Sequence, residues 1–196
     1  SKVEIKKEGG ESILELRERA RKFLSRILKE FNDETEQAEW LADSVRENLE
    51  HDEWDGDDIL IILPDAYTAK KKAAVIGEAL RRRGIDFHLA GVTSSRDQIF
   101  LRKSIAIANI YRSKGNEAPM VYVANCQDCV SRYQLVKLRN ILFTAITRCK
   151  AWVRLSGWGD GMKSLMEEID AVRGNDYRLR FKIPTPEELA EIRQIH

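Results

Sequence analysis

Hydrophobic and polar positions follow two different periods along the chain. Residues 12–31 and 35–49 place apolar side chains every three to four positions, which is the spacing of one face of an α-helix. Short apolar runs rich in β-branched residues follow at 58–63, 85–90, 105–111, 120–124 and 151–155. Runs of this kind predict strands, and the run at 58–63 predicts a strand that is covered on both faces of a sheet.

Helical spacing separates several of these runs. A helix is predicted from about Thr68 to Gly84, because glycine suits a helix end, and another over residues 131–149. Asn32 and Asp33 are predicted to cap the helix over 35–49. The alternation of strand and helix predicts an α/β fold with a doubly wound, mostly parallel sheet and flanking helices.

The same pattern predicts three parts of the chain. We expect an N-terminal helical segment of unknown role at residues 1–31 and a central α/β domain at residues 32–160. A helical or strand extension that packs on this domain is expected at residues 161–196. The first residue is serine rather than methionine, so we expect a piece of a longer protein.

Charge is distributed unevenly, although the net charge is only +1. Residues 30–58 hold 13 acidic groups and one basic group, whereas residues 70–154 hold 17 basic and 5 acidic groups. The near-neutral total is therefore no argument against a nucleic-acid partner, which would bind the basic region. We expect a basic face around residues 111–114, with the acidic helix directed elsewhere.

Composition excludes some classes of protein. No apolar run approaches the ~18 residues that span a bilayer, so we expect no membrane partner. The three cysteines are scattered, which excludes a disulfide scaffold and suits a reducing compartment, so a cytoplasmic location is expected. A zinc site needs four ligands, and the cysteines and histidines are too far apart in the sequence to suggest one, so no metal site is predicted.

One connection between two predicted strands carries residues suited to a nucleotide. Lys114-Gly115-Asn-Glu117 lies between the runs at 105–111 and 120–124. Glycine lets the backbone approach a ligand closely, lysine offers a cationic contact to a phosphate, and a carboxylate accepts hydrogen bonds from hydroxyls. A polar loop with a simple glycine turn is the alternative interpretation.

Arg148 lies near the C-terminal end of the helix predicted over 131–149, just before a buried strand. Its guanidinium could offset the helix dipole and bond to the last carbonyls of the helix. It could instead project onto a phosphate, as arginine fingers do. The residue alone does not separate these alternatives.

Taken in order, two segments resemble motifs V and VI of superfamily I helicases of the UvrD/PcrA-like group. They are Ile110-Tyr-Arg-Ser-Lys-Gly-Asn-Glu117 and Leu142-Phe-Thr-Ala-Ile-Thr-Arg148. The family has His-x-x-Lys-Gly-x-Glu after a strand and Leu-Tyr-Val-Ala-x-Thr-Arg on a helix. Upstream, residues 34–42 and 58–63 look like the helix and strand of motif IV. The resemblance implies the C-terminal, or second, RecA-like domain of such a helicase.

The resemblance also implies a nucleotide site. Glu117 would bind the ribose of ATP, and Arg148 would be the catalytic arginine finger on the γ-phosphate. Gly115, Lys114 and Thr147 would complete the nucleotide-binding set. The implied cofactor is ATP with Mg²⁺, bound mainly by the first RecA-like domain.

A second set of residues would face single-stranded DNA or RNA. By resemblance these are Asn109, Tyr111 and Arg112. Tyr111 stands where the family usually has histidine, and its ring could stack on a base. The implied partners are therefore single-stranded nucleic acid and the first RecA-like domain of the same protein.

The chain departs from the family in three respects. Pro64-Asp65 stands where the family has Tyr-Arg after motif IV; Tyr67 and the lysines at 70–72 are close enough in sequence to substitute. The accessory domain inserted after Gly91 in UvrD-type enzymes is absent. The Gly-x-x-x-x-Gly-Lys-Ser/Thr loop and the metal-binding acidic pair of the first domain are absent too, so we predict no ATP hydrolysis by this chain alone.

Two alternatives remain from the sequence. One is a degenerate RecA-like domain that binds nucleic acid or a partner without motor activity. The other is a thiol-redox module built on Cys126-Gln-Asp-Cys129, whose spacing and position after a strand resemble those of redox pairs.

Overall fold

The computed structural model describes residues 28–52, 54–93, 98–130 and 134–174. This part of the chain contains six strands, β1 Leu28–Phe31, β2 Ile59–Leu63, β3 Phe87–Leu89, β4 Ile105–Asn109, β5 Ala118–Val123 and β6 Cys149–Trp158. They form one sheet in the order β1-β6-β5-β2-β4-β3, and every neighbouring pair is parallel. The predicted parallel α/β sheet is confirmed.

Five helices accompany these strands in the described residues. They are α1 Glu34–His51, α2 Ala69–Arg82, α3 Ile110–Ser113, α4 Leu135–Ile146 and α5 Gly159–Gly174. As predicted, Asp33 caps α1, because its carboxylate accepts a hydrogen bond from the Glu36 N–H at 2.8 Å. Gly84 follows α2 with a φ of +69°, a conformation that glycine adopts without strain.

The core lies around β2, whose five side chains are all buried. On one face of the sheet, Ile59, Ile61 and Leu63 join a cluster with the apolar stripes of α1 and α2. Leu60 and Ile62 are also fully buried, and alternate side chains of a strand point to opposite faces. Both faces of β2 are therefore covered, as its apolar run predicted, whereas β6 is exposed at residues 150–152.

The prediction of a helix over residues 12–31 is wrong for its last four residues. Residues 12–27 lie outside the described ranges, but Leu28–Phe31 is a strand that pairs with β6 from Leu155 to Trp158. The backbone hydrogen bonds offered by β6 decide the conformation of this short segment, overriding its local periodicity. Phe31 then lies against Trp40 of α1, with ring centroids 5.2 Å apart.

The strand predicted over residues 105–111 ends earlier, at Asn109. The Asn109 side chain accepts a hydrogen bond from the Arg112 N–H at 3.0 Å, which starts the single turn of α3. Tyr111 consequently belongs to a helical turn instead of a strand. The rest of the predicted extension, beyond residue 174, lies outside the described residues.

The acidic helix α1 is bound to the end of the basic helix α2, and its direction away from the basic face expected around residues 111–114 stays a prediction. Arg83 Nε and Nη2 donate to the two Asp43 carboxylate oxygens at 2.9 and 2.8 Å, and Arg82 pairs with Glu39. The hydrogen-bonded Arg83 guanidinium holds the pKa of Asp43 below its usual range. Part of the basic charge counted in the sequence is therefore neutralised within the fold.

Contacts divide the chain into two compact units, Ser1–Leu165 and Met166–His196. The whole sheet belongs to the first unit, and the described part of the second is the end of α5. Within the described residues, no helix combines the length and the apolar character that crossing a membrane requires.

A buried hydrogen bond links the sheet to α1. The Tyr122 hydroxyl donates to Asn48 Oδ1, and Asn48 Nδ2 donates to Asp52 at 2.7 Å. Tyr122 is fully buried, and its burial raises the pKa of its hydroxyl, so the group remains a neutral donor.

We expect Tyr122→Phe to lower the free energy of unfolding by about 1–3 kcal/mol, because Asn48 Oδ1 is left buried without this donor. The matched control is Tyr111→Phe, whose ring is exposed and whose change should stay within about 0.5 kcal/mol. Urea-induced unfolding of both variants measures the difference. Equal stabilities of Tyr122→Phe and the parent chain would contradict the prediction.

Candidate functional site

The parallel strands give the sheet two chemically different ends. Leu63 pairs with Asn109 at the end where the strands finish, which we call the carboxyl edge. Ala118 pairs with Cys149 at the end where strands begin, which we call the amino edge. The predicted nucleotide residues precede β5 and β6 at the amino edge, whereas the predicted nucleic-acid residues follow β4 at the carboxyl edge.

At the amino edge, the segment 114–117 lies beside Arg148. The Ala118 N–H donates to the Arg148 carbonyl at 3.0 Å, so Glu117 directly precedes a residue bonded to Arg148. Gly115 has a φ of +83°, and a β-carbon there would meet no other atom within 4 Å. Lys114 and Glu117 are exposed. The segment is therefore open to a ligand.

The Arg148 guanidinium lies against the C-terminal end of α4. Its Nε donates to the Thr144 carbonyl at 3.2 Å, and its Nη2 contacts the Thr147 hydroxyl at 3.3 Å. The Thr147 hydroxyl in turn donates to the Thr144 carbonyl at 3.0 Å. A cation at this end of a helix is favoured by the helix dipole. The helix-capping interpretation of Arg148 thus describes its position in this structure.

The acceptors around Arg148 are neutral. Within the described ranges, no carboxylate forms a salt bridge with it, and the side chain is half-buried. A phosphate would offer a charged acceptor, and hydrogen bonds to charged acceptors are about twice as strong as those to neutral ones. The arrangement therefore leaves the guanidinium able to exchange its present acceptors for an anion.

At the carboxyl edge, the three predicted residues have different roles. Asn109 is half-buried and caps α3. Arg112 extends across the end of β3, since a β-carbon built at Gly91 would lie 2.9 Å from Arg112 Nε. Tyr111 exposes 64% of its surface. Of the three, Tyr111 is thus the side chain most available for contact with a partner.

The segment after β2 does not join the amino-edge residues. Tyr67 follows β2 at the carboxyl edge, at the opposite end of the strands from Glu117 and Arg148. Pro64-Asp65, which stand where the family has Tyr-Arg, follow β2 at this same edge, so the replacement of that pair by Tyr67 or the lysines at 70–72 stays a prediction. Lys72 forms a salt bridge with Asp128 at this same edge.

The Cys126-Gln-Asp-Cys129 segment is a 3₁₀ turn with both cysteines buried. Burial raises the pKa of Cys129 to about 12 and also raises that of Cys126. The thiolate is the reactive form of cysteine, so both shifts oppose redox chemistry.

Hydrogen bonds give this turn a structural role instead. Gln127 Oε1 accepts a hydrogen bond from the Trp158 N–H at 3.2 Å, and Arg139 donates to the Cys129 carbonyl at 2.7 Å. The turn therefore ties the end of β6 and the helix α4 together. The ranges described by the structure contain no group of three His, Cys, Asp or Glu side chains arranged to hold a metal ion.

Comparisons with known proteins agree with this geometry. Residues 104–156 match the family model of the UvrD-like helicase C-terminal domain; this segment contains both the loop at 114–117 and Arg148. The chain is also similar to the crystal structure of the C-terminal domain of a possible DNA helicase from Lactobacillus plantarum WCFS1. The TM-score is 0.52 at 18% identity, covering 69% of this chain and 76% of that one.

Together these findings confirm the resemblance to the C-terminal domain of UvrD-like helicases. The structural likeness shows a shared α/β fold, which is consistent with a RecA-like domain, and the family match covers the segment that resembles motifs V and VI. A search of curated proteins found no match.

We expect Cys126 and Cys129 to react slowly with a disulfide reagent such as dithiobis-nitrobenzoate in the folded protein at pH 8. Their raised pKa values keep the thiolate fraction below that of free cysteine, whose pKa is about 8.5. The Cys149→Ser variant isolates the pair, because Cys149 is partly exposed. Reaction should become fast only after unfolding in denaturant. Fast reaction of the folded variant would restore the redox alternative.

Proposed function

We propose that this chain is the second motor domain of an ATP-dependent superfamily I helicase that acts in the cytoplasm. The observation that carries the proposal is that the loop at 114–117 and Arg148 are neighbours at the amino edge, within the segment that matches the helicase family. In this scheme the parent protein couples ATP hydrolysis to movement along single-stranded DNA or RNA.

The residues at the amino edge fit a triphosphate nucleotide in their chemistry. Lys114 and Arg148 provide two cations for phosphates, Glu117 provides an acceptor for ribose hydroxyls, and Gly115 leaves room for close approach. The proposal assigns Arg148 to the γ-phosphate as the finger and Thr147 to holding its guanidinium. ATP supplies the free energy of hydrolysis, with Mg²⁺ held mainly by the first RecA-like domain.

The nucleic-acid track is proposed for the carboxyl edge. Tyr111 offers a stacking surface, and Arg112 offers positive charge for a backbone phosphate, while Asn109 fixes the turn that carries both. A single strand bound there would be separated from the nucleotide by the length of the strands. The first RecA-like domain would complete both sites.

A second candidate function is a RecA-like module that binds nucleic acid or a partner without motor activity. Asp65, which stands where the family has arginine, accepts hydrogen bonds from Tyr67 and Thr68 and provides no cation. ATPase activity of the parent protein distinguishes the two candidates, because only a motor requires it.

We expect Arg148→Ala in the parent protein to lower kcat for ATP hydrolysis by about 10³-fold or more, because an arginine finger contributes that much to stabilising transition-state charge. Nucleotide binding should remain largely intact. Single-turnover hydrolysis and nucleotide titration measure the two quantities separately. The isolated 196-residue chain should not hydrolyse ATP.

The matched control is Lys150→Ala, which removes an exposed cation two residues from Arg148. Its kcat should stay close to that of the parent protein. Turnover that survives Arg148→Ala would show that Arg148 is not the finger. Turnover by the isolated chain would overturn its assignment as a second domain.

We expect Tyr111→Ala to weaken binding of a single-stranded oligonucleotide by about 5-fold or more, because base stacking on an aromatic ring contributes about 1–3 kcal/mol. Tyr111→Phe should retain binding, since it keeps the ring. The control is Phe143→Ala, near the amino edge. The Phe143 side chain exposes 67% of its surface and that of Tyr111 exposes 64%, so the two rings are similarly accessible. Fluorescence anisotropy measures the affinities. Equal loss in both alanine variants would contradict the track.

A further inference from the structure

A second tyrosine is exposed at the same edge as Tyr111. Tyr67 exposes 98% of its surface and lies four residues beyond Leu63, which pairs with Asn109 of β4. The two tyrosines therefore follow neighbouring strands. An aromatic ring exposed to this degree buries almost no apolar area and contributes little to the fold, so the stability of the domain does not explain it.

The turn that carries Tyr67 is fixed by Asp65. The Asp65 carboxylate accepts hydrogen bonds from the Tyr67 N–H at 3.0 Å and from the Thr68 hydroxyl at 2.5 Å. Burial would raise the pKa of Asp65, but these hydrogen bonds and the charge of Lys72 outweigh it and lower the pKa. The carboxylate is therefore ionised at neutral pH, and the backbone of Tyr67 is ordered before any partner binds, which reduces the entropy cost of binding.

A cavity of about 170 Å³ lies between the start of α2 and the ends of β3 and β4. Its lining includes Ala66, which precedes Tyr67, and Asn109, which caps the turn of Tyr111. Both tyrosines are thus next to residues that line the same cavity. Its volume is below the ~300–1,000 Å³ of sites that enclose a whole small ligand, so this edge suits part of a larger molecule.

Positive charge accompanies the two rings. Lys70 lines the cavity and the next residue, Lys71, is exposed, whereas Lys72 is paired with Asp128. The first turn of α2 contains no acidic residue, although the helix dipole favours anions there and disfavours cations. The lysines therefore do not serve the stability of α2, and their charge is complementary to a polyanion.

We propose that Tyr67 and Tyr111 form a two-ring platform at the carboxyl edge on which bases of single-stranded nucleic acid stack, while Lys70 and Lys71 bind its phosphates. The inference rests on the proposed function and extends the track from β4 across to β2. Exposed aromatic rings interspersed with cations are the combination by which proteins bind single strands without reading their sequence.

The test is a titration of the full chain with fluorescent oligothymidylate and oligouridylate, followed by anisotropy at several salt concentrations. Tyr67→Ala should weaken binding by about 5-fold or more, whereas Tyr67→Phe should bind within about twofold of the parent chain because its ring is kept. The slope of affinity against salt should be unchanged in Tyr67→Ala, because tyrosine carries no charge, and should decrease in Lys70→Gln.

An oligonucleotide with abasic positions separates stacking from an indirect effect. If Tyr67 stacks on a base, Tyr67→Ala should cause no further loss of affinity for a strand that lacks this base. A double-mutant cycle measures this coupling between the ring and the base. An equal loss of affinity in Tyr67→Ala for normal and abasic strands overturns the platform.

The remaining outcomes distinguish this inference from the proposed function. Weaker binding in Tyr111→Ala but unchanged binding in Tyr67→Ala overturns the platform and leaves the proposed track intact. Unchanged binding in both variants overturns the platform and the track together. If Tyr67→Ala weakens association with the first RecA-like domain and leaves oligonucleotide binding unchanged, the surface binds protein and the platform is overturned.

Discussion

Parallel pairing of β2 with β4 on one side and β5 on the other determines where the candidate functional residues lie. All strands point the same way, so the residues that follow them gather at one edge and those that precede them gather at the other. Arg148 and Glu117 consequently meet at the amino edge, and Tyr111 and Tyr67 at the carboxyl edge. The chemistry proposed for each edge depends on this common direction, because reversing one strand would move the residues that precede it and those that follow it to the opposite edges.

The two edges are joined by a short connection. The chain passes from Asn109 to Ala118 through α3 and the segment 114–117, far fewer residues than the dozen or more usual for a crossover between parallel strands. This connection carries Tyr111 at its start and Glu117 at its end. The two proposed sites are therefore separated by only a few residues of backbone.

Much of the fold was predictable because local patterns and burial agree. The apolar run of β2, the Asp33 cap and Gly84 each specify one conformation. The strand β1 was not predictable, since Leu28 and Phe31 have the i, i+3 spacing of a helix face and the segment pairs with residues more than a hundred positions away. The sequence suggests residues for the candidate site but not their contacts, and it leaves Arg148 with two interpretations. Nothing in it indicated that Tyr67 is exposed or that it follows a strand next to the one that Tyr111 follows.

The clamp between Arg83 and Asp43 has an electrostatic consequence beyond stability. It fixes the acidic helix α1 to the end of α2, so negative and positive groups keep separate, fixed places on the domain. A polyanion is attracted to one part of such a molecule and repelled from another, and the summed field acts before contact. For the proposed track, this field would favour one orientation of the approaching nucleic-acid strand, and the rate of association would fall as salt increases.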